Sequence, residues 1–148
     1  MIKSIRLLIL ILLTSSQLTS QSEKGIQSLD EARKYCEKIT DNFSQGNLEE
    51  AFNIINTILI LPENELSYIA LESIKQFNMN EGRYGEKIGY SLPVEKGVEN
   101  ELHSIEYLVK FDYHAIRLEF KFYKGKDGLW FLNKFKWDDE IYEILKNK

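Results

Sequence analysis

Two hydrophobic rhythms divide the chain. From residue 28 to about 77 apolar residues return every third or fourth position; from about 88 onward they return every second. The first rhythm is that of helices with one buried stripe, the second that of strands with one buried face.

The helical half opens at Ser28-Leu29-Asp30-Glu31, a capping box in which the serine oxygen takes a free amide and the glutamate reaches back. Leu29, Ala32, Cys36, Ile39 and Phe43 form the stripe of a first helix, which Gly46 ends in the left-handed conformation. Asn47, with Glu50 three residues on, is placed to cap a second helix carrying Leu48, Ala51, Phe52, Ile55 and Leu59, and Pro62 stops it. Leu66, Ile69, Ala70, Ile74 and Phe77 mark a third, running to the turn-rich NMNEGRYG.

The strand half contains four runs. Ile88, Tyr90, Leu92 and Val94 alternate up to Lys96-Gly97; Ile105, Tyr107, Val109 and Phe111 alternate up to Tyr113-His114; Ile116, Leu118, Phe120 and Phe122 alternate up to Gly125-Lys126-Asp127-Gly128. With Tyr113 and His114 as the turn, Phe111 faces Ile116, Val109 faces Leu118, Tyr107 faces Phe120 and Ile105 faces Phe122. The other face then collects Glu106, Lys110, Arg117, Glu119 and Lys121. Closing the earlier hairpin at Lys96-Gly97 puts Ile88 opposite Ile105 and His103 opposite Tyr90. In the last run Trp130 and Leu132 have one parity and Phe135 and Trp137 the other, so a β-bulge near Asn133-Lys134 is required to bury all four. DDEIYEILKNK closes the chain as a short capped helix with Ile141, Ile144 and Leu145. The expected fold is α+β: three N-terminal helices packed on a curved four-stranded antiparallel meander, with a short C-terminal helix.

Ahead of this domain, MIKSIRLLILILL places Lys3 and Arg6 before seven uninterrupted apolar residues, Leu7 to Leu13, and small polar residues follow. That is the pattern of a signal peptide over residues 1–20, with cleavage after Ser16 or Ser20, leaving one domain over 21–148 that is secreted or periplasmic. The run is too short to span a bilayer, which takes about 20 apolar residues, and no other run comes close.

The net charge of −4 becomes −6 when Lys3 and Arg6 are removed, since 17 basic residues then face 23 acidic ones. Such a balance disfavours nucleic acid as a partner. Cys36 is the only cysteine, so no internal disulfide forms, and its place on an apolar helical face reads as packing rather than reactivity.

Phe43-Ser44-Gln45-Gly46-Asn47-Leu48-Glu49-Glu50-Ala51-Phe52, then Gly82-Arg83-Tyr84-Gly85, then Asp127-Gly128-Leu129-Trp130-Phe131-Leu132-Asn133-Lys134-Phe135 resembles the nuclear-transport-factor-two-like superfamily, the cystatin-like, cone-shaped α+β roll, and most of all its small secreted bacterial members of unknown function. The resemblance covers roughly residues 28 to 140. It implies helices packed on the inside of a curled sheet, and, in the enzymes of that superfamily, an acid, base or hydrogen-bond donor within the cone.

The inward set here is Ile, Val, Leu and Phe, with Tyr90 and Tyr107 as polar tips and His103 near the sheet's beginning. These three are the candidate ligand-binding residues. His103 as base with Tyr107 as donor is the one candidate catalytic arrangement, and no carboxylate is placed to orient the imidazole. Two histidines and one cysteine far apart give no metal-ligand spacing, and Asp138, Asp139 and Glu140 read as capping residues rather than a calcium site. No phosphate-cradling loop or nucleophile elbow occurs, and no cofactor is implied. The aromatics of the strand half read as core.

The expected function is therefore a non-catalytic exported domain that binds a small apolar ligand or a protein partner at the cone mouth or the sheet face, with a homodimer through the sheet as one arrangement. One alternative is an isomerase- or hydrolase-type enzyme using His103 and Tyr107. Another is a helical-repeat-like adaptor, since Gly46 to Phe52 also has the look of a tetratricopeptide turn, although no second copy follows at a 34-residue period.

Overall fold

The computed structural model describes residues 24–146. The signal-peptide segment and its two cleavage sites lie outside these residues. The described chain runs α1 (Leu29–Gln45), α2 (Leu48–Ile58), α3 (Glu63–Tyr84), β1 (Lys87–Tyr90), β2 (Val94–Val98), β3 (Leu102–Phe111), β4 (Ala115–Lys124), β5 (Trp130–Asp138) and α4 (Glu143–Lys146). It is α+β, helices followed by a curved antiparallel sheet, and not a helical array.

Helix α1 begins as its capping box requires. The Glu31 amide donates to Ser28 Oγ at 3.1 Å, while Glu31 Oε2 accepts from the Gln27 amide at 2.9 Å. Gly46 ends it at φ 81°, and the Gly46 and Asn47 amides donate to the carbonyls of Phe43 and Asn42. The side chain of Asn47 does not cap α2; it donates to Gln45 Oε1 instead. Nor does Pro62 stop α2. The helix ends at Ile58 because Leu59 turns extended and pairs with Leu132 of β5, and Pro62 stands at the start of α3. Helix α3 continues through NMNEGRY to Tyr84, whose ring packs 5.5 Å from Phe111 and 4.7 Å from His114. Burying that ring outweighs the turn-forming tendency of the segment.

The expected first strand is two strands. β1 pairs with the upper part of β3 and β2 with the lower part, giving a sheet of five strands. Pro93 has no amide for a ladder, and Ser91 Oγ accepts the Leu108 amide at 2.9 Å in place of a backbone carbonyl. Leu92 is fully exposed and Ile88, at a bulge, largely so, against the expectation that both face inward. The β2–β3 hairpin turns at Glu99-Asn100, both left-handed (φ 49° and 57°), not at Lys96-Gly97. His103 therefore faces Gly97, and Tyr90 faces Val109.

Between β3 and β4 the two-residue turn is Asp112-Tyr113, with the Phe111 amide donating to the His114 carbonyl. Moving the turn back one residue shifts every pair by two: Val109 faces Ile116, Tyr107 faces Leu118 and Ile105 faces Phe120. A shift of two preserves the face, so the expected inward residues of β3 and β4 are the observed ones, whereas Val94 of β2 stands beside Glu106 on the other face. Asp112 is held in place because its Oδ2 accepts from the Glu86 amide at 2.9 Å across a close approach to Gly85, where φ is 87° and any Cβ would lie 2.7 Å from Asp112 Cβ. The bulge in β5 occurs where the parity required it: Lys121 faces Lys134 but Phe122 faces Leu132, so Asn133 is the extra residue and Trp130, Leu132, Phe135 and Trp137 share one face.

The core lies between α1–α3 and this face. Phe43 is its centre, with ring centroids 5.8 Å from Phe52 and Phe77 and 6.1 Å from Phe135; Phe120 lies 5.2 Å from Phe135. Tilted and edge-on pairs of this kind add about 0.5–1.5 kcal/mol each beyond burial. Cys36 is free and buried in this layer, and burial drives its thiol pKa well up. The C-terminal helix is shorter than expected; Ile144 is buried, Leu145 exposed.

Candidate functional site

Tyr90 and Tyr107 come together as expected, rings edge-on with centroids 6.1 Å apart. Tyr107 is buried and packs on Phe120, and burial, followed by the negative charge around it, pushes its phenol pKa up. His103 does not join them. It lies four positions back along β3, about 13 Å at strand spacing, with fully buried Ile105 between. The structure sets His103 on Glu95 and Tyr107 on Tyr90 and Phe120, and so does not bring together the pairing of His103 as base with Tyr107 as donor.

His103 does have a carboxylate, contrary to expectation. Its Nε2 lies 2.8 Å from Glu95 Oε2; the carboxylate only accepts, so the ring nitrogen carries the proton. Glu95 faces inward from β2, opposite Ile105. A turn at Lys96-Gly97 would point Glu95 outward; the turn at Glu99-Asn100 changes the register and brings it inward. Gly97, read as a turn residue, instead leaves room for the imidazole: a Cβ there would lie 3.1 Å from His103 Nδ1.

Glu95 is also bound by α1. Arg33 Nε donates to both carboxylate oxygens at 2.9 and 3.0 Å, and Nη2 donates to Oε2 at 2.9 Å. These bonds, with that from His103, hold the Glu95 pKa below the usual carboxylate range despite partial burial. Both oxygens are occupied, so the carboxylate orients the ring and ties helix to sheet but is not a free base.

The other face of the sheet carries its own charges. Arg117 donates to Asp138 (Nη2 to Oδ2, 2.9 Å) and to Glu106 (Nη1 to Oε2, 3.2 Å), and lies 3.9 Å from Glu119. Arg117, Glu106 and Glu119 were expected on this face and are there, but buried at about 5% exposure rather than solvated. The Arg117 pKa is raised, first by its bond to Asp138; burial pushes Asp138 up, yet the Arg117 and Lys136 bonds outweigh it and leave it lowered. Across β2–β5 this face holds Lys96, Lys110, Arg117, Lys121, Lys134 and Lys136 against Glu106, Glu119 and Asp138, a basic surplus on an acidic chain.

A groove of about 520 Å³ crosses that face, lined by Lys96, Val98, Leu102, Ser104, Lys121 and Lys134 together with neighbouring residues. Ser104 Oγ is buried there without a hydrogen-bond partner. Periodicity places Lys121 on this face, whereas Lys96 reads as a turn residue, and an alternating pattern carries no information about concavity.

Tyr113 is exposed, while His114 is half-buried against Tyr84. Asp138, Asp139 and Glu140 do not converge: Asp138 serves Arg117, and Asp139 accepts from the Tyr84 hydroxyl at 3.3 Å. Among the described residues no group of three or more His, Cys, Asp or Glu side chains is placed to hold a metal, and no helix is long and apolar enough to cross a membrane. No protein-family model, curated protein or solved structure matches the chain.

Proposed function

We propose that this is an exported, non-catalytic binding domain that takes its ligand on the outer face of the sheet. The observation that carries the reading is the groove across β2–β5, with Ser104, whose buried hydroxyl is unpartnered, in its lining. Its volume is within the range of small-molecule sites, about 300–1,000 Å³. The inner face supports the same reading from the other side, because Phe43, Phe120, Leu118 and Ile39 fill the space between helices and sheet. Three helices leading into a curled antiparallel sheet support the nuclear-transport-factor-two-like assignment, with the ligand on the face away from the helices.

The neutral fluorescent amphiphile N-phenyl-1-naphthylamine tests this. Saturable binding is expected, lost in Ser104→Trp and Leu102→Glu, both judged folded by circular dichroism, and kept in Tyr107→Phe. Binding that survives both groove variants and disappears with Tyr107→Phe would move the site to the inner face.

One observation favours an enzyme instead: the 2.8 Å contact that orients His103 on Glu95. On that reading p-nitrophenyl acetate is turned over faster than by free imidazole, and His103→Ala abolishes the excess. The occupied oxygens of Glu95 and the distance to Tyr107 weigh against it.

A further inference from the structure

The groove is crossed by a single row of cations. The strand register sets Lys96 beside Ser104, Ser104 beside Lys121 and Lys121 beside Lys134, one residue from each of β2 to β5. At a strand spacing of about 4.8 Å the row is about 14 Å across. The next row toward the hairpin turns is apolar and exposed: Val98 (57%), Leu102 (48%) and Tyr123 (47%).

The row's cations are incompletely neutralised. Among the described residues Glu119 is the one carboxylate within reach of Lys121 (3.0 Å) and Lys134 (3.9 Å), and Arg117 draws on it as well at 3.9 Å. Lys96 makes no ion pair among the described residues. Between the lysines, Ser104 has a buried hydroxyl with no bond made, a cost that native proteins seldom leave standing. An oxygen-rich anion seated on the row would accept from the ammonium groups, and from the Ser104 hydroxyl once the side chains covering that oxygen move aside. A chain attached to that anion would then lie along Val98, Leu102 and Tyr123.

We propose that the groove binds an amphipathic organic anion, a phosphate monoester or carboxylate whose head sits on Lys96, Ser104, Lys121 and Lys134 and whose alkyl part covers the apolar row. The proposal rests on the outer-face binding reading and adds the ligand's chemistry to it. A second copy of the chain pairing through the same face would set this basic surplus against itself, which disfavours the isologous dimer. A bilayer is a poorer occupant as well, because Glu99 and Glu101 border the apolar row at the hairpin turn.

Isothermal titration with three amphiphiles of equal tail length, octyl phosphate, octyl glucoside and octyltrimethylammonium, tests it. Octyl phosphate is expected to bind more tightly than octyl glucoside by about tenfold, and the cation not at all. Lys96→Gln and Ser104→Ala should each weaken octyl phosphate about fivefold while leaving octyl glucoside unchanged, and raising the salt should weaken the phosphate alone. Equal affinity for all three head groups overturns the anion while leaving the groove. Failure of all three, together with no binding of N-phenyl-1-naphthylamine, overturns the groove as well. Co-flotation with phosphatidylglycerol vesicles, without binding of monomeric octyl phosphate, replaces the single amphiphile by a membrane surface and overturns the proposal.

Discussion

Arg33 of α1 and Glu95 of β2, 62 residues apart in sequence, are joined through both carboxylate oxygens, and His103 of β3 is bonded to the same carboxylate. The contact fastens the first helix to the edge of the sheet. Packing alone would hold the helix by its apolar stripe; the Arg33–Glu95 bonds also set its rotation and its height along β2, because a guanidinium and a carboxylate meet in a narrow range of geometries.

This tie predicts a pH dependence. The Glu95 pKa is lowered in the folded protein, principally by the Arg33 bonds, so its contribution is fully present above the unfolded value of about 4.3 and is lost as pH falls through the lower folded value. Urea midpoints measured from pH 7 to pH 3 should show Glu95→Gln less stable than the parent by about 1.5–3 kcal/mol at neutral pH. The gap should close below about pH 4. A gap that stays constant over that range would mean the carboxylate contributes packing and not charge.

Arg117 presents the opposite risk. It is buried with Glu106, Glu119 and Asp138, and Glu106 and Glu119 face each other directly across β3 and β4. Arg117→Met takes the one guanidinium from all three carboxylates and leaves Glu119 and Asp138 to the more exposed Lys121 and Lys136, and breaking a buried ion pair from one side costs about 3–5 kcal/mol. Urea denaturation should place this variant well below Glu95→Gln in stability. Equal loss in the two would show that the outer-face charges are hydrated in solution.

Deleting Asn133 removes the extra residue of the β5 bulge. Everything after it then changes face, so Phe135 and Trp137 point outward or Trp130 and Leu132 do. The expected outcome is loss of the cooperative unfolding transition with dye-binding apolar surface exposed. A deletion variant that unfolds as cooperatively as the parent would show the bulge to be dispensable.

Much of the architecture is present in local pattern. The capping box, the Gly46 terminator, the apolar stripes of α1 and α2 and the inward faces of β3 and β4 follow from residue spacing, because helix and strand periods are intrinsic to the backbone. The β5 bulge follows from a parity conflict that has one economical solution. Turn placement depends on contacts beyond the hairpin itself. Tyr113-His114 and Asp112-Tyr113 are equally plausible two-residue loops by pattern, and the choice falls to Asp112 because only its carboxylate reaches the Glu86 amide.

The sequence by itself determined the helical and the extended half of the chain and the shared faces of β3, β4 and β5, since these depend on neighbours a few positions away; it did not determine the helical state of NMNEGRY, the split of the first strand or the outward turn of Ile88 and Leu92. Tertiary structure alone decided the pairing of Arg33, Glu95 and His103, the turning of Gly97 from loop to strand, the burial of Arg117 and the row of Lys96, Ser104, Lys121 and Lys134. Each of these depends on register, and register is a sum over contacts between distant segments. A shift of one pair leaves every local propensity unchanged while bringing different side chains together.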